Sequence, residues 1–184
     1  MTVRPVLHWT HTVHARDRGS WKEANAMSLT TEYMEGRGVP FEVIAHEKAF
    51  TSIDEARALG IEADAVVKTL LIDTAAGHVL AVIPGDRRLD MRLVEGVVGD
   101  KHAHLATEQE IERDLPGVEL GSLPPLGGLL KMHAYVDPEV LEHETIVFAG
   151  GMQTESIRAR SEDVFRDEVV TVAKLTKDFA EHYG

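Results

Sequence analysis

Apolar positions along this chain fall in short runs, most of them bounded by glycine, proline or a capping residue. The first clear element is a short helix that Ser28 can cap and that Gly36 and Gly38 end, followed by FEVIAH, which alternates as a strand. SIDE, Ser52 to Glu55, is a capping box opening a helix that stops at Gly60. The run 66–73, VVKTLLID, is β-branched and aliphatic enough to be a strand covered on both sides. TAAG then turns the chain into HVLAVIP, which predicts an antiparallel hairpin. GDRRLDMRLVEGVVG predicts a turn and a helix capped by Asp90 and ended near Gly99. TEQE, Thr107 to Glu110, is a second capping box. A short strand near Val118–Leu120, a Gly/Pro loop, and strands in HAYVD, TIVFAGG and SIRAR follow. The pattern closes with a short helix from Ser161, a strand in VVTV and a helix in KLTKDFAEHY. With no βαβ rhythm and no internal repeat, this predicts an α+β fold: a mixed, mostly antiparallel, curved and barrel-like sheet with short flanking helices.

Residues 1–26 show no sustained period, and Met27 opens a segment that reads as the start of a domain. The expected division is an N-terminal tail over 1–26 and one domain over 27–184. His8, His11 and His14 lie three apart in the tail, but neither carboxylate nor cysteine completes a metal set with them.

Composition narrows the classes. The chain has no cysteine, which excludes disulfides, thiolate zinc and a cysteine nucleophile, and fits a cytoplasmic location. No apolar run reaches the roughly 18 residues of a membrane helix, and no apolar leader opens the chain. The net charge of −12 argues against broad nucleic-acid or DNA binding. A nucleic-acid substrate would have to enter a small local pocket, with a second protein supplying affinity.

Three stretches carry candidate chemistry. Lys68 sits in the apolar run and shares one strand face with Leu70 and Ile72. Either its head snorkels to water at the strand's start, or it awaits an anionic ligand. GSLPPLGG, Gly121 to Gly128, joins a bare glycine to two stiff prolines. It is an ordinary connection or a loop that aims N–H groups at a developing oxyanion. In FAGGMQTESI, Gly150 and Gly151 end a strand and either make a turn or admit a ligand close to the backbone. Other patterns are weaker. Ser156 sits in no G-x-S-x-G elbow, and no phosphate-loop or dinucleotide fingerprint is present. His102 and His104 in KHAH read as a solvated loop, Arg87 and Arg88 as phosphate ligands or surface charges, and His46 as a ligand or a satisfied polar tip.

Taken in order, AHEKAFTS with its helix, VVKTLLID, GDRRLD, GSLPPLG and FAGGMQTESI resemble the YbaK/EbsC family, the prolyl-tRNA synthetase-associated editing domain, over about residues 28–175. The resemblance implies a mixed curved sheet and a free-standing, metal-independent aminoacyl-tRNA deacylase that hydrolyses the ester of mischarged tRNA, typically tRNA-Pro. It implies that Lys68 holds the phosphate and ribose of the terminal adenosine. Gly121 and Pro125 match the ends of a G-x-x-x-P loop that positions the aminoacyl carbonyl, and these three form the catalytic set. Gly150 and Gly151 match the glycine pair beside the aminoacyl pocket, and His46, Thr69, Ser122 and Ser156 complete the substrate-binding set. Some relatives carry Asp at the position of Ser156, and many a second glycine at that of Ser122, which bears on amino-acid specificity. The implied partners are the CCA end of aminoacyl-tRNA and prolyl-tRNA synthetase, with no cofactor, metal, membrane or DNA. The rival readings are a non-catalytic tRNA, nucleotide or synthetase-binding module of the same fold, and a metal hydrolase built on some of the ten histidines.

Overall fold

The computed structural model describes residues 26–49 and 51–177. In chain order they form helix Ala26–Gly36 (α1), strand Phe41–Ala45 (β1), helix Ser52–Leu59 (α2), strand Val66–Thr74 (β2) and strand Gly77–Pro84 (β3). Helix Met91–Val98 (α3), strand His104–Leu105 (β4), helix Glu108–Asp114 (α4), helix Gly127–Leu130 (α5) and strand Ala134–Val136 (β5) come next. Helix Pro138–Glu142 (α6), strand Thr145–Ala149 (β6), strand Glu155–Arg160 (β7), helix Ser161–Phe165 (α7) and strand Val170–Val172 (β8) complete the series.

The covered run is the middle of the sheet, whose order is β1-β7-β6-β2-β3-β5-β8, with β4 also on β2. The hairpin expected from TAAG is present, paired antiparallel from Thr74↔Gly77 to Val67↔Pro84. Gly77 takes φ +116°, which the tight turn requires and which residues with a Cβ rarely adopt. The pairs β1/β7, β6/β7 and β2/β4 are also antiparallel, while β2/β6, β3/β5 and β5/β8 are parallel. The sheet is therefore mixed, as expected, and open, with β1 and β8 at its ends. Long connections such as residues 85–133 between β3 and β5 make the parallel pairs possible.

Both faces of the sheet are covered, which explains the near-continuous apolar run in β2. Val67, Val82, Val136 and Phe148 pack against Met34 of α1, Val140 of α6 and Val164 of α7. On the other face Ile72, Ala81 and Ile83 pack against Val94 of α3 and Leu175. Asp90 and Gly99 cap α3 at the expected ends, and Thr107 and Glu110 make the expected capping box of α4.

The structure corrects several local expectations. Val118–Leu120 is not a strand; its backbone is occupied with a distant turn described below. His104 lies in β4 rather than in a loop. The cap of α2 is Thr51, one residue before the expected Ser52. α1 already includes Ser28 instead of starting from it as a cap. Residues 174–177 are not helical, and Thr176 forms an isolated antiparallel bridge with Leu89, so the helix expected from Lys174 does not start there. The rest of that segment, and the tail with His8, His11 and His14, lie outside the described residues. Among the described residues no helix is long and apolar enough to cross a membrane.

Candidate functional site

Three segments far apart in sequence converge on one small, partly open pocket. The first runs from His46 into α2, the second is the loop around Gly121 and Ser122, and the third is the turn from Ala149 to Ser156. The turn organises the other two. Glu119 N–H donates to the Gly151 carbonyl at 3.0 Å, Gln153 N–H donates to Glu119 Oε2 at 2.6 Å, and Gln153 Nε2 donates to the Leu120 carbonyl at 2.7 Å. These bonds explain why Val118–Leu120 forms no strand. From the other side His46 N–H reaches the Thr154 carbonyl and Ala49 N–H the Gln153 carbonyl, both at 2.9 Å. Gly151 at φ +110° and Gly121 at φ +80° hold backbone angles that residues with a Cβ rarely adopt.

A buried carboxylic group lies in this pocket. Glu55, only 7% exposed, meets the hydroxyl of Ser156, which is 1% exposed and sits on β7. His46 Nε2 lies 2.7 Å from the same hydroxyl, and its Nδ1 lies 2.6 Å from the Glu47 carbonyl. A carbonyl can only accept, so Nδ1 carries a proton. The Ser156 proton can serve one neighbour at a time. Either Ser156 donates to an ionised Glu55 while a protonated His46 donates to Ser156, or a neutral Glu55 donates to Ser156, which donates to His46. Burial pushes the Glu55 carboxyl up, opposed by the Ser156 hydrogen bond and by His46. This is not a nucleophile triad, because the acid contacts the serine and the histidine is oriented by a backbone carbonyl.

Lys68 does not line this pocket but lies on the same sheet face, on the far side of Ala149 from Ser156. Ala149 pairs with Ser156 across β6 and β7, and one residue beyond the Val67↔Phe148 pair Lys68 comes abreast of Ala149. Residues abreast in a sheet share a face, so Lys68, Ala149 and Ser156 form a row. The ammonium is half-buried and donates to the Arg87 carbonyl at 2.9 Å. Burial pulls its pKa down, Asp86 opposes that, and Arg88 adds to it. The lysine is therefore not simply snorkelled into water, and two of its three protons remain for a ligand.

The other expected site residues separate. Gly121, Ser122, His46 and Ser156 line the pocket. Gly150 and Gly151 form its turn without lining it, and the Gly150 carbonyl accepts from Thr30 Oγ1 at 2.8 Å. Pro125 is buried behind the loop. Thr69 points to the opposite face from Lys68, where its buried Oγ1 has no hydrogen-bond partner among the described residues. Arg87 pairs with Glu139 at 2.8 Å, while Arg88 is exposed. At the far end of β2, Asp73, His104 and Glu110 bring possible metal-ligand atoms within 4.8 Å of one another, with Glu110 already engaged in its capping box.

Glu55 is the residue that sequence reasoning missed. TSIDE contains two overlapping cap patterns, Thr51 with Asp54 and Ser52 with Glu55. The helix uses the first, with Asp54 N–H donating to Thr51 Oγ1 at 3.1 Å, which frees Glu55 to turn inward. The redundancy was the available signal.

Comparison with known proteins shows the family and the fold. A family model described as an aminoacyl-tRNA editing domain matches residues 46–166, a span that includes every pocket-lining residue. The chain is 30% identical over 134 residues to the multifunctional Ser/Thr-tRNA deacylase ProXp-y of Escherichia coli (strain K12), covering 70% of this chain and 80% of that one. A proline–tRNA ligase of Thermosipho melanesiensis is 31% identical over 85 residues, which are 46% of this chain and 15% of the ligase. A crystal structure assigned as a trans-editing enzyme for prolyl tRNA synthetase superposes with a TM-score of 0.75 at 26% identity, over 84% of this chain and 99% of that one.

Proposed function

The chain belongs to the aminoacyl-tRNA editing domain family, and from that premise we propose that it hydrolyses the ester of mischarged tRNA, with tRNA-Pro as the carrier. The observation that carries this reading is the pocket in which the Gly121 loop faces the Glu55, Ser156 and His46 group, with Lys68 outside its lining but on the same sheet row as Ser156. In this reading the editing unit is residues 27–184, acting in the cytoplasm on the CCA end.

The chemistry asks little of side chains, because the ester is already activated. A water oxygen attacks the ester carbonyl carbon, the bond to the ribose oxygen breaks, and that oxygen leaves with a proton. N–H groups of the loop that starts at Gly121 and is stiffened by Pro125 stabilise the oxyanion. Lys68 holds the terminal phosphate and ribose, and the vicinal ribose hydroxyl orients the water, so that positioning supplies much of the rate. Thr69, on the far face of β2, supports the strand and does not touch the substrate. The turn at Gly150 and Gly151 shapes the aminoacyl end. A chain at −12 gains little affinity from the tRNA body, so prolyl-tRNA synthetase, bound to the same tRNA, is the partner that supplies it.

Single-turnover hydrolysis of tRNA-Pro charged with serine, threonine, alanine or cysteine tests the reading. At least one ester is expected to be cleaved faster than its spontaneous rate. Lys68→Ala, folded by circular dichroism, is expected to cut kcat/KM by about tenfold to a hundredfold through loss of a charge-assisted contact. Binding of these tRNAs without turnover would make the chain a binding module instead.

A further inference from the structure

Glu55 is the one acidic group among the described residues lining the pocket, and no lysine or arginine lines it. Oε1 is taken by Ser156, and Oε2 has no hydrogen-bond partner among the described residues. The residue is largely buried, but Oε2 is not sealed off: it keeps contact with the open pocket, where a donor that enters, best a cation, can meet it. Burial accordingly holds its proton longer than usual. His46, the other ionisable group of the pocket, uses Nδ1–H on the Glu47 carbonyl and needs no net charge to do so.

The deacylase reading, on which this inference rests, puts the ester carbonyl at the Gly121 loop. The α-nitrogen is two bonds from that carbonyl carbon, so it lies in the same small volume as Glu55. We propose that Glu55 receives the α-ammonium of the esterified amino acid and so restricts the site to esters with a free α-amino group. An ammonium brings a positive charge and three donors, which satisfy Oε2 and stabilise the ionised carboxylate. A secondary amide nitrogen brings no charge and a single N–H donor in place of three. Peptidyl-tRNA and N-formylated initiator tRNA, whose α-nitrogens are amides, would thereby be refused. Glu55 acts as a specificity-determining residue.

The probes are alanyl-tRNA-Pro and lactyl-tRNA-Pro, which differ by an α-ammonium against an α-hydroxyl of similar size (seryl-tRNA-Pro and its α-hydroxy counterpart where serine is preferred). Each single-turnover rate is divided by the spontaneous rate of the same ester, which removes the difference in intrinsic reactivity. Wild-type protein is expected to favour the aminoacyl ester by on the order of tenfold to a hundredfold. Glu55→Gln is expected to lose that preference, and Glu55→Asp, which keeps the charge, to recover part of it. Equal acceleration of the two esters by wild-type protein overturns the proposal, as does a Glu55→Gln protein that keeps the preference. Should Glu55→Gln fail to fold, the wild-type comparison and Glu55→Asp decide. Turnover without preference overturns the role of Glu55 alone. Wild-type protein inert on every ester overturns the deacylase reading and this role with it.

Discussion

Gly121 combines a left-handed backbone, φ +80°, with a place on the pocket wall. Valine there would meet both a disfavoured angle and the approaching ester. Gly121→Val is expected to lower the hydrolysis rate constant by about a hundredfold while changing tRNA binding little, since the lost interaction is strongest in the transition state. Single-turnover rates and filter binding on the same tRNA separate the two effects. Glu55 has a stability signature as well. Because its carboxyl is raised, the native state holds that proton more tightly than the unfolded chain. The linked stability is complete below the ordinary carboxylate range and is lost as pH climbs through the raised value. Glu55→Gln keeps the shape without the charge, so it should raise Tm near pH 8 and lose that advantage below about pH 4. Thermal melts of both proteins across this range check it, and a variant melting below wild type at pH 8 would contradict it. A gain in stability with a loss of selectivity is the usual trade at a buried functional charge.

The start of α2 shows how two good local signals compete at the level of an element. Thr51 Oγ1 accepts from Asp54 N–H and donates to Asp54 Oδ2 at 2.7 Å, while the Ser52 pattern goes unused. Thr51→Ala should therefore cost about 1 kcal/mol and Ser52→Ala close to nothing, as measured by urea denaturation. Elements whose causes are local were legible in the sequence: the β2–β3 hairpin from its alternation and turn, α3 from Asp90 and Gly99, and α4 from Thr107 and Glu110. The candidate site was legible in the same measure. Lys68 stands out as a charge in an apolar run, and Gly121 and Gly151 as glycines where the backbone is left-handed. What escaped depends on distant partners. The backbone of Val118–Leu120 is claimed by residues 151 and 153, and β4 is two residues long, too short for a period. Glu55 and Ser156 meet across 101 positions of chain.

At the scale of the whole molecule, long-range fastenings decide the topology. Asp137 is fully buried; Oδ2 accepts Leu175 N–H at 2.8 Å and Thr176 Oγ1 at 3.0 Å, and Oδ1 accepts Glu139 N–H at 3.1 Å. It ties the segment after β8 to the end of β5, and Leu175 in turn seals the core under α3. Asp137→Ala leaves these donors unmatched and should cost about 3 kcal/mol, roughly 10 °C in Tm, without touching the pocket. Calorimetry together with residual activity at low temperature checks both halves of that statement. The placement of β1 has a consequence in time. Among the described strands it pairs only with β7, and His46 and Ser156 are 110 residues apart. At about 5–20 residues per second, the ribosome needs on the order of ten seconds to pass from one to the other. Through that interval the nascent β1 has no sheet to join and His46 has no serine to face. The pocket is closed by one of the last strands made, so hydrolysis cannot precede the emergence of β7. Recovery of activity after dilution from denaturant should likewise follow the slow joining of β1 to β7, well after the local hairpin has formed.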